Sequence, residues 1–269
     1  MSKIYFQGTF GAYSHIAALE VEPNAKIIPC KTFDECFLKA SIENDSKIVI
    51  PESNRITGNI GIEYLIFKYR LNIYAEHYLK IEHNLLGQPG SKISDIKDVF
   101  SHAQALSQCS NFIKKNNLVE HIRADTAGSA EAISQNKIKS EAAIASSLSA
   151  KTYKLKILAA NVENEVSNAT RFLVMGKKIL QPDFGNKKYI TSFLFKLKSK
   201  PAALYQSLSG LAINGVNLTK LQSYPEQNSF ESYFFLCDLD GHIEDQKVQK
   251  SLEELGLHCQ DFHVLGVFE

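Results

Sequence analysis

The 269-residue chain has no tryptophan, two methionines and five cysteines. The cysteines (Cys30, Cys36, Cys109, Cys237 and Cys259) are scattered and odd in number, with no Cys-x-x-Cys pair. This argues against a disulfide framework or a zinc site and fits reduced thiols. No apolar run approaches the ~18 residues of a membrane span. The opening MSKIYFQGTF has no apolar signal core, so the expected location is the cytoplasm, with no membrane partner. A surplus of one charge sign is missing too. Lys+Arg is 30 and Asp+Glu is 29, a net charge of +1, which argues against a nucleic-acid partner. Arginine is scarce: Arg55, Arg70, Arg123 and Arg171 stand among lysines. Arginine is the better fork for a carboxylate, so these four positions are informative.

What is present is an ordinary globular composition. Hydrophobic residues make up 44% and charged residues 22%, which excludes a disordered or collagen-like chain. Length divided by ~150 residues per domain gives roughly 1.8, so one large domain or two smaller ones fit.

Strand and helix signals alternate along the first part. Lys3–Gln7 reads as a strand running into the glycine-bearing turn Gly8-Thr-Phe-Gly11, which opens a helix through Ala17, Ala18 and Leu19. Ile27–Ile28 fits a strand, Thr32–Ala40 a helix, and Lys47–Pro51 a short buried strand ending in a polar loop. After Val99-Phe100, Ser101 stands three residues before Gln104, a capping-box spacing. It predicts a helix with Leu106, Cys109, Phe112 and Ile113 on one face. Asp125-Thr126 caps the Ala-rich helix Ala127–Ile133, Ala142–Leu148 is a buried strand or helix start, and Thr170–Met175 is a strand. Gly176–Lys188 holds lysines, Pro182 and Gly185 without an apolar face and reads as a linker. Beyond it come strand Ile190–Leu197, helix Ala202–Ile213 with Pro201 at its first position and Gly215 as C-cap, and strands Asn217–Tyr224 and Tyr233–Leu239. A turn at Asp240-Gly241, helix Glu244–Leu255 and strand His263–Phe268 complete a βαββαβ, ferredoxin-like order.

Several of these stretches together resemble the prephenate dehydratase family, a catalytic domain followed by a regulatory ACT domain. They are Gly8-Thr-Phe-Gly-Ala-Tyr-Ser-His15, Ser101-His-Ala-Gln-Ala-Leu-Ser-Gln-Cys109, Asp125-Thr-Ala-Gly-Ser-Ala130, Ala142-Ala-Ile-Ala-Ser146 and Asn168-Ala-Thr-Arg-Phe172. Pro201-Ala-Ala-Leu-Tyr205, Val216-Asn-Leu-Thr-Lys220 and Tyr233-Phe-Phe235 follow in the ACT part. The resemblance implies an α/β fold. A two-lobed catalytic domain of periplasmic-binding-protein type II kind spans residues 1–180, a linker 181–188, and the ACT domain 189–269. It implies a lyase in phenylalanine biosynthesis: prephenate loses CO2 and its ring hydroxyl together and becomes phenylpyruvate. It implies no cofactor and no metal, L-phenylalanine as effector, and a homodimer or homotetramer.

The residues suit such chemistry. Three helix starts carry small polar groups, and helix N-termini hold carboxylates without a basic domain. By resemblance Thr170 is the essential threonine, with Ser101, Gln108 and Asn54 as its catalytic partners. Thr9, Ser14, His102, Thr126, Asn168 and Arg171 are the substrate-binding candidates. Each has a structural alternative. Ser101 and Gln104 are cap residues, and His102 sits at the first helical position, where a lone histidine is more often structural. Asn54 follows a strand, where Asn is commonly a turn residue. Asp125 is a cap, which leaves Thr126 as the ligand. Thr170 and Arg171 are neighbours on a strand and face opposite ways, so Arg171 serves either the domain interface or a salt bridge.

The sequence departs from the family at several places, among them Ala103, which replaces the usual Pro after Ser-His. Where the family has Pro-x-Glu-Asn-Ser, this chain has Pro51-Glu-Ser-Asn-Arg55. Reading without a gap keeps Asn54, puts Ser53 in the glutamate position and brings an extra cation, Arg55. In the effector motifs, Ala202-Ala203-Leu204 replaces Gly-Ala-Leu, and Gln222-Ser223-Tyr224-Pro225 replaces Glu-Ser-Arg-Pro. The effector candidates are Ala202, Ala203, Leu204, Asn217, Leu218, Gln222 and Ser223. Two other functions stay open at this level: arogenate dehydratase, and a non-catalytic amino-acid sensor on the same fold. The added methyl and the two lost charges predict weakened or altered inhibition by phenylalanine. Isothermal titration with phenylalanine checks this, and binding as tight as in an ordinary regulated homologue overturns it.

Overall fold

The computed structural model describes residues 2–198, 200–226 and 232–269. The chain begins with β1 (Lys3–Gln7), α1 (Tyr13–Val21), β2 (Lys26–Cys30), α2 (Phe33–Ile42), β3 (Ser46–Asn54), β4 (Gly58–Asn59), α3 (Glu63–Tyr69) and β5 (Asn72–Lys80). It continues with β6 (Asn84–Gly87), β7 (Asp98–Ser101), α4 (Ala103–Gln108), α5 (Ser110–Lys115), β8 (Val119–Ile122), α6 (Thr126–Asn136), β9 (Glu141–Ala145), α7 (Ser147–Thr152) and β10 (Lys156–Ala159). Then β11 (Ala169–Gly176) returns to the first sheet, whose order is β2-β1-β3-β11-β5 with β4 against β3. The second sheet runs β10-β6-β9-β7-β8. The chain thus passes from one sheet to the other twice, before β6 and after β10. This is the expected two-lobed α/β plan. Strand β3 is central, and its run Ile48-Val49-Ile50 is wholly buried, as a strand covered on both faces requires.

The C-terminal part has β12 (Ile190–Leu197), α8 (Ala203–Asn214), β13 (Leu218–Pro225), β14 (Tyr233–Asp240), α9 (Gln246–His258) and β15 (Cys259–Phe268). Its sheet is antiparallel in the order β13-β14-β12-β15, the ferredoxin-like arrangement read from the sequence. Phe193, Phe195, Cys237 and Leu239 pack with Leu211, Val248, Leu252 and Leu255 of the two helices.

Contacts divide the chain into two compact units. One holds the chain through Cys36 with Ile48–Ile60 and His77–Phe172; the other holds Phe37–Lys47, Gly61–Glu76 and Leu173–Glu269. Within the second unit, the Arg70 guanidinium pairs with Asp261, and Phe67 packs on Phe234. A Cβ at Gly266 would lie 2.1 Å from the Ile73 carbonyl oxygen, so only glycine fits where β15 meets β5. All five cysteine thiols are buried. Burial pushes Cys109 up to about 12 and Cys259 up to about 11. Among the described residues, no helix is long and apolar enough to cross a membrane.

Local expectations are corrected at five points. Strand β3 runs past Pro51 to Asn54 because Ser53 and Asn54 pair with Asn59 and Gly58 of β4. Ser101 does not cap a helix: it ends β7, and its hydroxyl donates to the Ile144 carbonyl at 2.6 Å. His102 is the cap instead of the first helical residue, its Nδ1 accepting from Gln104 N at 3.3 Å. The helix that follows breaks at Cys109, where Asn164 donates its backbone N–H to Gln108 O at 2.6 Å and accepts from Asn111 N at 3.1 Å. Finally, α8 starts at Ala203, two residues after Pro201, and Ala202 is its cap at φ 58. A left-handed alanine costs about 1–2 kcal/mol, a strain that a glycine at this position would avoid.

Candidate active site

The first unit contains a cavity of about 390 Å³. Three helix starts open onto it: Ala12, Tyr13 and Ser14 of α1, His102, Gln104 and Ala105 of α4, and Ala124, Asp125 and Thr126 of α6. Asn54 comes from the end of β3, Gln108 from α4, and Thr170 and Phe172 from β11. The approach of α1 depends on Gly11. Its φ is +93, and a Cβ there would meet Ser149 Oγ at 2.6 Å. Its carbonyl accepts from Ser146 Oγ at 2.5 Å and Ser149 Oγ at 3.0 Å. No side chain caps α1 at Ala12, so its first N–H groups remain available to an anion.

Asn54 organises the polar wall. Its Oδ1 accepts from the backbone N–H of Ile56 at 3.0 Å and of Thr57 at 3.1 Å. Its Nδ2 donates to Asn168 Oδ1 at 2.8 Å and to Thr170 Oγ1 at 2.9 Å. The Thr170 oxygen is thereby used as an acceptor, which leaves its proton to be donated elsewhere. Asn168 Nδ2 donates in turn to Gln108 Oε1 at 3.1 Å.

The cavity thus brings together six of the ten catalytic and substrate-binding candidates: Thr170, Asn54, Gln108, Ser14, His102 and Thr126. Four are not on its lining. Ser101 is fully buried beneath it. Asn168, also fully buried, stands behind Asn54 and Gln108. Thr9 lies one residue beyond the lined Gly8. Arg171 points to the other side of β11 from Thr170 and places Nη1 3.5 Å from Oε2 of the buried Glu52. That is the salt-bridge alternative, and alternation along the strand produces it. Arg55 is exposed and off the lining. Among the described lining residues there is no lysine or arginine, so helix N-termini supply the positive potential. Of the effector candidates, Ala202, Ala203 and Leu204 line a second cavity of about 370 Å³. Asn217, Leu218, Gln222 and Ser223 lie on or just before β13, away from it.

Tyr13 and His83 are lining residues that the sequence reading did not single out. Tyr13 sits inside the Gly8–His15 turn motif, and its position as the first residue of α1 was the available signal. His83 lies in the irregular link between β5 and β6, and no local pattern marks it. Tyr13 Oη is 2.8 Å from His83 Nδ1, and His83 Nε2 is 2.9 Å from Gln108 Oε1. Burial holds the His83 imidazole below its ordinary 6.5, while the Gln108 hydrogen bond and the Glu163 charge work the other way. Burial lowers His15 and His263 as well. Unfolded histidines therefore take up protons that the folded chain refuses. Stability is predicted to fall as pH drops through 6.5 toward the lowered folded values. Urea midpoints measured from about pH 7 down to about pH 5.5 check this, and the slope is expected to be shallower in His83→Gln.

Comparisons with known proteins agree on one family. A family model described as prephenate dehydratase matches residues 4–179. The chain is 34% identical over 266 residues to the bifunctional N-acyl-homoserine lactone acylase/prephenate dehydratase of Komagataeibacter europaeus, over 98% of this chain and 95% of that protein. It is 35% identical over 283 residues to arogenate dehydratase/prephenate dehydratase 1, chloroplastic, of Arabidopsis thaliana, over 99% of this chain and 71% of that one. The solved prephenate dehydratase of Arthrobacter aurescens in complex with L-Phe superposes with a TM-score of 0.91 at 26% identity, covering 99% of this chain and 89% of that one.

Proposed function

Since the chain belongs to the prephenate dehydratase family, a family of lyases, we propose that its cavity converts prephenate to phenylpyruvate by decarboxylating dehydration. The observation that carries this reading is the direction of the Thr170 hydroxyl. Its oxygen accepts from Asn54 Nδ2 at 2.9 Å, and it lines the cavity, so its proton is the one offered to a ligand.

In the reaction the bond between the ring and its carboxylate breaks, and its electron pair enters the ring. The ring becomes aromatic as the opposite carbon–oxygen bond breaks. CO2 leaves, and the departing hydroxide takes a proton to become water. The barrier lies in the charge that gathers on the leaving oxygen. The Thr170 hydroxyl meets that charge with a hydrogen bond already aimed by Asn54, which is how a preorganised donor accelerates a reaction. Threonine is too weak an acid to be ionised at neutral pH, so it acts as a donor. The uncapped α1 N-terminus holds a carboxylate, and Phe33, Ile60, Ile81 and Phe172 surround the ring.

The same lining favours a keto acid over its amino analogue. A ketone accepts hydrogen bonds, whereas an ammonium group only donates them and gains most from a free carboxylate. Among the described lining residues the one carboxylate is Asp125, whose Oδ1 already accepts from Gly128 N at 2.6 Å. This supports prephenate over arogenate.

Residues 1–180 form the catalytic domain in this reading and 181–188 the linker, with 189–269 as an ACT regulatory domain that takes L-phenylalanine. The protein works in the cytoplasm as a homodimer or homotetramer. Edge strand β13 supports assembly: it lies at the end of its sheet, with Leu221 43% exposed, and Tyr205 and Ile213 of α8 are 79% and 78% exposed. Such an edge is a template for a second copy. Sedimentation equilibrium reads the subunit number, and a monomer at working concentration would remove this part of the proposal.

A spectrophotometric assay for phenylpyruvate, with prephenate and arogenate supplied separately, tests the activity. Prephenate is the expected substrate. Thr170→Val is expected to lower kcat by about 10²–10³-fold, the cost of one oxyanion-directed donor. Asn54→Asp should cost a comparable factor, because a carboxylate draws the Thr170 proton back from the cavity. Full activity in Thr170→Val refutes the assignment, and an inactive parent protein favours a sensor.

A further inference from the structure

Resting on the reaction proposed above, we infer that His83 and Tyr13 are positioning residues for Gln108: they hold its amide so that the NH2 group, and not the carbonyl, faces the substrate.

The argument starts at a backbone turn, where donor and acceptor are unambiguous. Ile56 and Thr57 present N–H groups, which only donate, so the Asn54 atom they meet at 3.0 and 3.1 Å is the oxygen. Asn54 nitrogen then faces Asn168 at 2.8 Å, and the atom it meets there must accept. Asn168 consequently presents its own nitrogen to Gln108 at 3.1 Å, and Gln108 answers with Oε1. Each step fixes the next, because an amide oxygen never donates and an amide nitrogen never accepts.

His83 lies on the far side of that oxygen. Its Nε2 is 2.9 Å from Gln108 Oε1, so Nε2 must carry a proton. In a neutral ring Nδ1 is then an acceptor, and Tyr13 Oη at 2.8 Å supplies the matching proton. Both lone pairs of Gln108 Oε1 are now engaged, by Asn168 and by His83. Its NH2 is turned to the cavity that the residue lines, and the wall presents the Gln108 NH2 and the Thr170 hydroxyl as donors to the substrate's oxygens.

The clamp tolerates a change in protonation. The Tyr13 hydroxyl also lies 2.8 Å from the Glu82 carbonyl. When His83 gains a second proton, the phenol turns to Glu82 and accepts from Nδ1, while Nε2 still donates to Gln108. The ionisable groups around the pair are Tyr13 and Cys109, both held well above their ordinary values, and the Glu82 and Glu163 carboxylates. Lys80 is paired with Glu82. The Glu82 carbonyl competes for the single Tyr13 proton, but if it took that proton Oη would accept from Nδ1 and a bare Nε2 would face Gln108 Oε1, acceptor against acceptor, which disfavours that tautomer.

The experiment uses the full-length chain and has two independent readouts. The first is the nitrogen NMR signature of His83 in the unaltered protein, expected to be the Nε2-protonated tautomer at neutral pH. A majority of the Nδ1-protonated form overturns the inference, whatever the activity. The second is steady-state kinetics. His83→Leu is expected to lower kcat about tenfold or more, the worth of one hydrogen bond, with a smaller change in KM. His83→Gln places an amide nitrogen where Nε2 stood and should recover most of the loss. His83→Asn, one methylene shorter, should not. Wild-type kcat in His83→Leu overturns the inference, as does a folded His83→Gln no faster than His83→Leu. An unaltered protein that forms no phenylpyruvate overturns the proposed reaction, and the tautomer measurement still decides the arrangement of the clamp.

Discussion

Two backbone N–H groups, those of Ile56 and Thr57, grip the side-chain oxygen of Asn54. Each bond is worth about 1 kcal/mol in stability, but its larger effect is directional. A side-chain amide is nearly symmetrical in shape and can present either end. Once the turn has taken the oxygen, the nitrogen is committed to Thr170 and Asn168. The Thr170 hydroxyl, the buried Asn168 and Gln108 then have one consistent arrangement of donors. A short hairpin of β3 and β4 therefore sets the polarity of a wall whose other members come from α4 and β11.

Electrostatics follow the same economy. In a chain of net charge +1, the proposed substrate, a dianion, would be held without lysine or arginine among the described lining residues. Helix N-termini carry roughly half a charge each and need no flexible side chain to deliver it. Fixed dipoles lose no rotamer entropy on binding. In the proposed reaction, which discards one carboxylate and leaves the other behind, they would also hold the product less tightly than a buried guanidinium. The arginine nearest the chemistry, Arg171, is used behind the sheet, where it meets Glu52.

Much of this was legible in the sequence, and the failures have physical causes. Strand β12 and the Asp125 cap of α6 were readable because both depend on neighbours in sequence. So was the opposition of Thr170 and Arg171, which needs only the pleat of a strand. The Ser101 capping box had the right spacing, yet β7 extends through Ser101, and pairing with β8 leaves His102 to cap. The break at Cys109 is made by Asn164, far along the chain. No local pattern contains that partner. His83 was invisible for the same reason: its role is defined by Tyr13, seventy residues earlier, and by Gln108, twenty-five later. Residues that act on a ligand through a motif can be read from sequence, whereas those that act by orienting another side chain emerge only with the fold.

The five buried cysteines have a practical meaning apart from redox chemistry. Cys30, Cys36 and Cys109 belong to one compact unit, and Cys237 and Cys259 to the other. Only an ionised, accessible thiol alkylates readily; burial denies access to all five and also suppresses ionisation of Cys109, Cys237 and Cys259. Each unit therefore carries silent chemical reporters of its own opening, placed by the packing of the core without any engineered label. The rate at which each thiol becomes reactive would record the opening of the unit that holds it.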